Sequence, residues 1–178
     1  MRLDQQLANK KNAILQKWFN AVVDTYPSDT SRFLKSQKDP FANPVGNTTL
    51  SGLKTLLENL FGEMEVTAIS NALDPIVRIR AVQNFSPSQA VGFVFLLKKI
   101  LGEYHSKEMD EAASLKELSR LYERIDDMGM MAFDIFSACR EKLYELKTSM
   151  ERDRLYKAFF KAGLVAEVPD ENSKETVS

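Results

Sequence analysis

The sequence predicts an all-α fold, and three observations support this class. Only 7 Gly and 6 Pro occur among 178 residues, which argues against a loop-rich β architecture. Apolar residues recur at helical spacing through most of the chain. The segment from Ala90 to Leu97 is apolar on every side, as expected for a helix surrounded by other helices. We therefore expect one compact helical domain over residues 1–163, with a long C-terminal helix, followed by a disordered polar tail at 164–178.

Composition limits the classes of function. With 24 basic and 25 acidic residues, the net charge of −1 provides no overall field toward nucleic acid or an anionic membrane. The N-terminus lacks the apolar run of a signal peptide, and the run from Ala90 to Leu97 is far shorter than the roughly 20 residues that span a bilayer. Cys139 is the only cysteine, so no intramolecular disulfide can form. We expect a cytoplasmic protein with no nucleic-acid partner and no direct insertion into membranes.

Two helices are predicted before residue 36. The first runs from Asp4 to Tyr26, and Pro27 ends it. Ser28 can cap a short second helix that reaches about Lys35. One stripe of the first helix is apolar: Leu7, Ile14, Leu15, Trp18, Phe19, Val22 and Tyr26.

A loop and two helices are predicted next. The segment 37–47 contains two prolines and a glycine, which indicates an ordered loop, and we expect Phe41 and Val45 to pack into the core from it. The next helix follows from the apolar positions Leu50, Leu53, Leu56, Leu57, Leu60 and Phe61. A residue that can cap followed by proline, Asp74-Pro75, predicts the start of another short helix.

The central helix has the clearest start in the sequence. Ser86 and Gln89 have the spacing of a capping box, in which each side chain bonds to the backbone N–H of the other residue. Pro87 falls at the first helical position, where a missing N–H costs nothing. We expect one helix to continue from there through Leu97, with a polar break near residues 106–113 before the last helix.

The last helix carries a heptad pattern. A helix from Leu115 to Met150 would be roughly 54 Å long at 1.5 Å per residue, which exceeds the width of a domain of this size. Its N-terminal half is expected to pack on its own domain, and the seam is expected to form a dimer interface through Leu118, Tyr122, Ile125, Phe136, Leu143, Leu146 and Met150. A further turn or two around Leu155 and Phe159 is predicted to precede Gly163.

Two separated motifs carry a family resemblance. DPFANPVG at residues 39–46 and RIRAVQNFSPSQAVGFVFLLK at residues 78–98 resemble the N-terminal domain of RsbR-type co-antagonists, specifically the RsbRD N-terminal family. Trp18-Phe19, with the segment DTYP at 24–27, also resembles that family, so the resemblance covers approximately residues 10 to 150. It implies a helical sensory module of the bacterial stressosome, similar to globins without haem and paired as a dimer through a long C-terminal helix.

The sequence departs from the signalling proteins of that family at its C-terminus. In those proteins the long helix leads into a STAS domain with phosphorylatable residues, whereas this sequence ends at Ser178 in a charged tail. We therefore expect a stand-alone module, and we do not carry over partner switching by phosphorylation.

Five residues are candidates for a ligand site. Arg78, Arg80 and Gln83 precede the central helix and can line a pocket for an anionic metabolite or a partner's carboxylate, because guanidinium groups bind carboxylates in a bidentate manner. Phe41 and Asn43 can face the same ligand. The structural alternative is that the arginines pair with acidic side chains or carbonyls to anchor the 39–46 loop, and that Asn43 bonds to its own loop.

Cofactor and catalytic chemistry find little support. His105 is the only histidine, and its charged neighbours indicate a solvated helix end rather than a haem ligand. One histidine and one cysteine are too few for a di-iron bundle or a usual zinc site, and Cys139 on the seam is expected to act as a small hydrophobe. No phosphate-binding glycine loop or serine triad is present. We expect no cofactor and no enzymatic activity.

Two hypotheses follow. The first is a noncatalytic regulatory module that forms a homodimer along the last helix and binds a protein partner that the sequence does not identify. The second is a small-ligand sensor for an anionic metabolite or haem.

Overall fold

The computed structural model describes residues 7, 9–83, 85–108 and 112–164, and over these it confirms the all-α class. The predicted tail lies outside the described residues, apart from Leu164. The chain divides into two compact units, Met1–Arg140 and Glu141–Ser178. The helices are α1 (Lys11–Val23), α2 (Ser28–Ser36), α3 (Pro44–Phe61), α4 (Val66–Val82), α5 (Pro87–Val91), α6 (Leu96–Glu108) and α7 (Ala112–Lys161).

The core of the first unit lies between α1, α3, α4 and α6. Helices α3 and α4 form the most extensive pair, and α1 packs on both α3 and α6. Trp18 of α1 is fully buried, and its indole N–H donates to the carbonyl of Phe93 at 2.8 Å. An apolar ring system with its one polar atom satisfied is the favourable way to bury tryptophan.

The capping box at Ser86 is confirmed. The hydroxyl of Ser86 accepts from the backbone N–H of Gln89 at 3.3 Å, and the side-chain oxygen of Gln89 accepts from the N–H of Ser86 at 3.0 Å. Pro87 occupies the first helical position, as the sequence predicts.

The prediction of one continuous central helix is wrong, and its predicted burial on every side is confirmed only in part, since Phe95 is 38% exposed. Helix α5 ends at Val91, residues 92–95 form a turn, and α6 begins at Leu96. Bonds from residue i+3 to residue i replace the α-helical pattern here, including Val94 N–H to Val91 O at 3.2 Å. The indole N–H of Trp18 donates to the carbonyl of Phe93 inside this turn. A hydrogen bond from α1 therefore uses an acceptor that a continuous helix would need for its own backbone. The apolar segment is nonetheless buried at Ala90, Val91, Phe93, Val94 and Leu97.

Two further local predictions are wrong. Pro75 lies inside α4, which begins at Val66 because the carboxylate of Glu65 accepts from the N–H groups of Thr67 and Ala68. This acidic cap at the positive end of the helix is a stronger start signal than Asp74-Pro75. Phe41 is 96% exposed and does not enter the core. Val45 packs against the core, as predicted.

Helix α7 confirms the prediction of a long C-terminal helix and extends beyond it to Lys161. Its N-terminal half packs on the first unit, where Leu118, Ile125 and Phe136 are buried. Gly129 allows a close approach, since a Cβ atom there would lie 2.2 Å from the ring of Phe95. Polar bonds fix the same part of the helix, including that from the hydroxyl of Tyr122 to Lys98 O at 2.9 Å.

The second unit contains the C-terminal part of α7, where the large apolar side chains are exposed. Helix α7 ends at Lys161, and Gly163, two residues later, has a left-handed φ of 69°. Among the described residues, no helix is both long and apolar enough to cross a bilayer.

Candidate functional site

Arg80 lies near the end of α4 and is only 1% exposed. Its guanidinium donates to the carbonyls of Gln89 at 3.1 Å and Val22 at 3.3 Å, and to the hydroxyl of Thr25 at 3.0 Å. These acceptors belong to α5 and to the C-terminal end of α1. Arg80 therefore links the end of α4 to α5 and to the C-terminal end of α1.

Three aromatic rings surround the same guanidinium. The centroids of Tyr26, Phe85 and Phe93 lie 5.1, 4.8 and 5.2 Å from its central carbon. Ring faces and carbonyl oxygens carry partial negative charge, so they compensate the buried cation without a carboxylate. Burial lowers the pKa of Arg80 from its ordinary value and raises that of Tyr26. The guanidinium remains charged, because its ordinary pKa lies far above neutrality.

Two polar atoms near the end of α4 have no hydrogen-bond partner within the described part of the chain. They are Nε of Arg80 and the side-chain oxygen of Gln83, and both are buried. Arg78 differs from Arg80, because it is exposed and its Nε donates to Asp74 at 2.6 Å. The two arginines therefore face different surroundings although two positions separate them.

Asn43 forms the corner between α2 and α3. Its side-chain amide donates to the carbonyls of Leu34 at 3.0 Å and Gln37 at 2.9 Å, and its oxygen accepts from the N–H of Gly46 at 2.9 Å. A Cβ atom at Gly46 would lie 2.3 Å from this amide, so the close approach requires glycine. Asn43 thus both caps α3 and ties the preceding loop to it.

Asn43→Ala is expected to reduce the free energy of unfolding by about 2–3 kcal/mol, since the α3 cap is lost and two carbonyls lose their donor. Urea unfolding followed by far-UV circular dichroism measures this change. Asn47→Ala, an exposed change in the same helix turn, is the control and is expected to alter stability by less than about 0.5 kcal/mol. Equal effects of the two variants would contradict the role of Asn43.

A groove of about 500 Å³ opens beside Asn43, and we call it the Asn43 groove. Its apolar wall consists of Phe19, Leu34 and Leu50. Its polar side includes Lys35 and Lys38 together with the amides of Gln16, Gln37 and Asn47. A groove with an apolar wall and cationic rim suits a small anion with an apolar portion.

The two lysines of the Asn43 groove differ. Lys35 donates to the carboxylate of Asp24 at 2.5 Å, and this bond, with a second from Ser31, holds the pKa of Asp24 below its ordinary value. Both lysines are exposed, and Lys38 lies at the start of the loop between α2 and α3. The cation that a ligand would meet first is therefore Lys38.

The predicted ligand residues fall into separate places. Asn43 bonds to Leu34, Gln37 and Gly46, whereas Arg80 bonds to Val22, Thr25 and Gln89, so the two clusters share no residue. Phe41 and Arg78 are both exposed. Sequence reasoning missed the aromatic rings around Arg80 and the lysines of the groove, because no local spacing links α1, α2 and α4.

The predicted interface residues differ in burial. Leu118, Ile125 and Phe136 are buried within the first unit, and Tyr122 is partly buried there. Leu143 is half-buried, while Leu146 and Met150 are 54% and 59% exposed. The part of the seam that can meet a second chain therefore consists of Leu143, Leu146 and Met150, which we call the seam stripe.

His105, the only histidine, could ligate haem, and Cys139, the only cysteine, could be oxidised. The solvated environment predicted for His105 is wrong, because only 9% of this residue is exposed. Cys139 is half-buried on α7. Within residues that the structure describes, no group of three histidine, cysteine or acidic side chains is arranged to hold a metal.

Comparison with known proteins identifies a family. The family model of the RsbT co-antagonist protein rsbRD N-terminal domain matches residues 12–149. No curated protein and no solved structure matches the chain.

Proposed function

Because the chain belongs to the family of the RsbT co-antagonist protein rsbRD N-terminal domain, we propose that it is a noncatalytic regulatory module of stressosome-type signalling. It acts in the cytoplasm by binding other protein chains, and its first partner is a second copy of itself. The two copies pair along the C-terminal part of α7. A further protein partner receives the signal.

The seam stripe carries the proposal of a homodimer. Its members follow one another by three and four residues, which keeps them on one side of a helix. Leu146 and Met150 are more than half exposed, and pairing two such helices would remove their apolar area from water. If two copies associate, the seam stripe of each chain is covered by the seam stripe of the other.

Leu146→Asp is expected to convert the dimer into a monomer while leaving the first unit folded. A carboxylate buried against the partner's seam costs several kcal/mol, which shifts the dissociation constant by at least about a hundredfold. Light scattering at tens of micromolar protein measures the mass, and circular dichroism checks the helix content.

Thr148→Asp is the matched control, because this exposed position lies on the opposite side of the same helix turn and receives the same charge. It is expected to remain dimeric. A native chain that is monomeric at tens of micromolar would refute the dimer.

The second candidate function is sensing of a small anionic ligand, and the Asn43 groove favours it. The groove joins an apolar wall to Lys35 and Lys38, and Asn43 lies at its base. Outside the groove, Nε of Arg80 and the side-chain oxygen of Gln83 are buried and have no hydrogen-bond partner in the described part of the chain, so we propose them as further ligand groups. We retain Phe41, Asn43, Arg78, Arg80 and Gln83 as proposed ligand residues, with haem as a less favoured ligand than an anionic metabolite.

A thermal-shift screen of anionic metabolites and haemin tests the sensor. A ligand at a hundred times its dissociation constant is expected to stabilise the folded chain by about 2.7 kcal/mol. Lys38→Gln removes the cation of the groove that does not pair with Asp24, and Arg78→Gln removes an exposed cation on α4. Loss of the shift only in Lys38→Gln would locate binding in the groove, and the absence of any shift would count against sensing.

A further inference from the structure

A second apolar surface lies beyond the seam stripe, near the end of α7. It consists of Leu155, Tyr156, Phe159 and Phe160, each between 46% and 58% exposed, and we call it the aromatic patch. The rings of Tyr156 and Phe160 stack with centroids 6.4 Å apart. Four large apolar side chains within six residues form a contiguous surface on two helical turns.

The aromatic patch does not continue the seam stripe. At 100° per residue, its centre is rotated by about 140° from the centre of the stripe around the helix axis. Extending the heptad steps past Met150 leads instead to Asp153 and Lys157, which are charged. A helix that pairs along the stripe therefore leaves the patch in solvent, so the homodimer proposed above does not explain it.

The side of the helix opposite the patch is basic. Arg154, Lys157 and Lys161 lie there, and residues 151–161 contain four basic and two acidic side chains, although the whole chain has a net charge of −1. The long stems of lysine and arginine let their charges reach the headgroups of a lipid surface while the aromatic side is buried. An apolar aromatic side joined to a cationic side is typical of helices that lie in the plane of a membrane interface.

The patch lies on an ordered helix end. The N–H of Gly163 donates to Phe160 O at 3.1 Å, and the N–H of Leu164 donates to Phe159 O at 3.0 Å. With the left-handed φ of Gly163, these bonds form a Schellman motif, which satisfies the last carbonyls of the helix. Leu164 is 73% exposed and adds apolar area next to the patch.

We propose that the aromatic patch binds the surface of an anionic lipid bilayer, with the last three turns of α7 lying in the interface. The phenyl rings enter the boundary between headgroups and acyl chains, and Arg154, Lys157 and Lys161 bind the anionic headgroups. The excess of basic over acidic side chains in residues 151–161 complements an anionic lipid surface, so we take lipid as the occupant of the patch. This inference does not depend on the homodimer, although two patches on one dimer would strengthen binding.

Vesicle flotation with the full chain tests the proposal. One vesicle population contains equal parts of phosphatidylglycerol and phosphatidylcholine, and the other contains phosphatidylcholine alone. We expect the chain to float with the anionic vesicles and to bind the neutral ones at least about tenfold more weakly, because each basic residue near an anionic surface strengthens binding several-fold. Raising the salt concentration should release it.

Three double variants separate the possible causes. Phe159→Ser with Phe160→Ser removes the apolar surface, and Lys157→Glu with Lys161→Glu reverses the charge, so each is expected to lower binding to anionic vesicles about tenfold or more. Leu146→Ser with Met150→Ser alters the seam stripe, and this variant is expected to lose dimerisation but still float as a monomer, with at most the avidity lost. Circular dichroism confirms that each variant keeps its helices.

Two results would overturn the proposal. One is equal binding of the native chain to neutral and anionic vesicles, or no binding to either. The other is a fall in the mass measured by light scattering for the Phe159→Ser, Phe160→Ser variant, with vesicle binding unchanged, which would assign the patch to contacts between protein chains.

Discussion

Phe136→Asp is expected to unfold the first unit. Phe136 lies in the N-terminal half of α7 and is buried within that unit. An unpaired carboxylate at this position loses the aromatic packing and adds the cost of a buried charge, so we expect a loss of about 4 kcal/mol or more. Such a loss is comparable with the 5–15 kcal/mol that holds a typical domain together.

The unfolding is measured by urea titration, with circular dichroism for helix content and tryptophan fluorescence for the surroundings of Trp18. Phe133→Asp provides a matched control, since it places the same charge three residues away on the same helix, at a side chain that is 45% exposed. A small change in the control and a large one at Phe136 would establish that this part of the seam is a monomer core. Comparable losses would mean that the packing of α7 is misassigned.

Arg80→Ala is expected to be the second most damaging change. It removes three hydrogen bonds and the cation that three aromatic rings surround, and it leaves a cavity. The carbonyls of Val22 and Gln89 each lose the hydrogen bond from Arg80, although that of Val22 keeps its bonds from Thr25. We expect the free energy of unfolding to fall by about 3–5 kcal/mol.

Three comparison variants separate charge, hydrogen bonding and volume at this position. Arg80→Lys keeps the charge but not the planar group that reaches acceptors on α1 and α5, so an intermediate loss is expected. Arg80→Met keeps most of the volume without donors. Arg78→Ala is the matched control because its ion pair with Asp74 is exposed, and a much smaller loss than for Arg80→Ala is expected. Native stability in Arg80→Met would show that the hydrogen bonds contribute nothing net.

The Arg80 cluster gives a physical reason for the motifs that carry the family resemblance. Thr25 and Tyr26 come from the DTYP segment, whereas Arg80, Gln89 and Phe93 come from the long motif at residues 78–98. These two segments are far apart in sequence and meet around one guanidinium. In the DPFANPVG segment, Asn43 and Gly46 likewise form one hydrogen-bonded corner. The residues that carry the resemblance therefore also hold helix ends together in this chain.

Features that depend on near neighbours along the chain could be predicted from the sequence. The all-α class, the capping box at Ser86, the burial around Ala90 to Leu97 and the long C-terminal helix were all predictable. Each follows from side chains within four residues of one another or from a repeated apolar spacing. The packing of the N-terminal half of α7 on its own domain was also predictable, because its apolar face is wider there.

Features that depend on contacts between residues far apart in sequence became visible only in the folded structure. The central segment breaks into α5, a turn and α6 where the indole of Trp18, 75 residues away, bonds to Phe93 O. Arg80 is buried because acceptors on α1 and α5 and three rings converge on it. Phe41 is exposed and His105 is buried because of how the loop of Phe41 and the helix of His105 pack on the rest of the fold. The residues next to them in the sequence do not specify this packing. Local hydrogen bonding and apolar periodicity set which helices form, whereas long-range packing sets where they break and which polar groups they enclose.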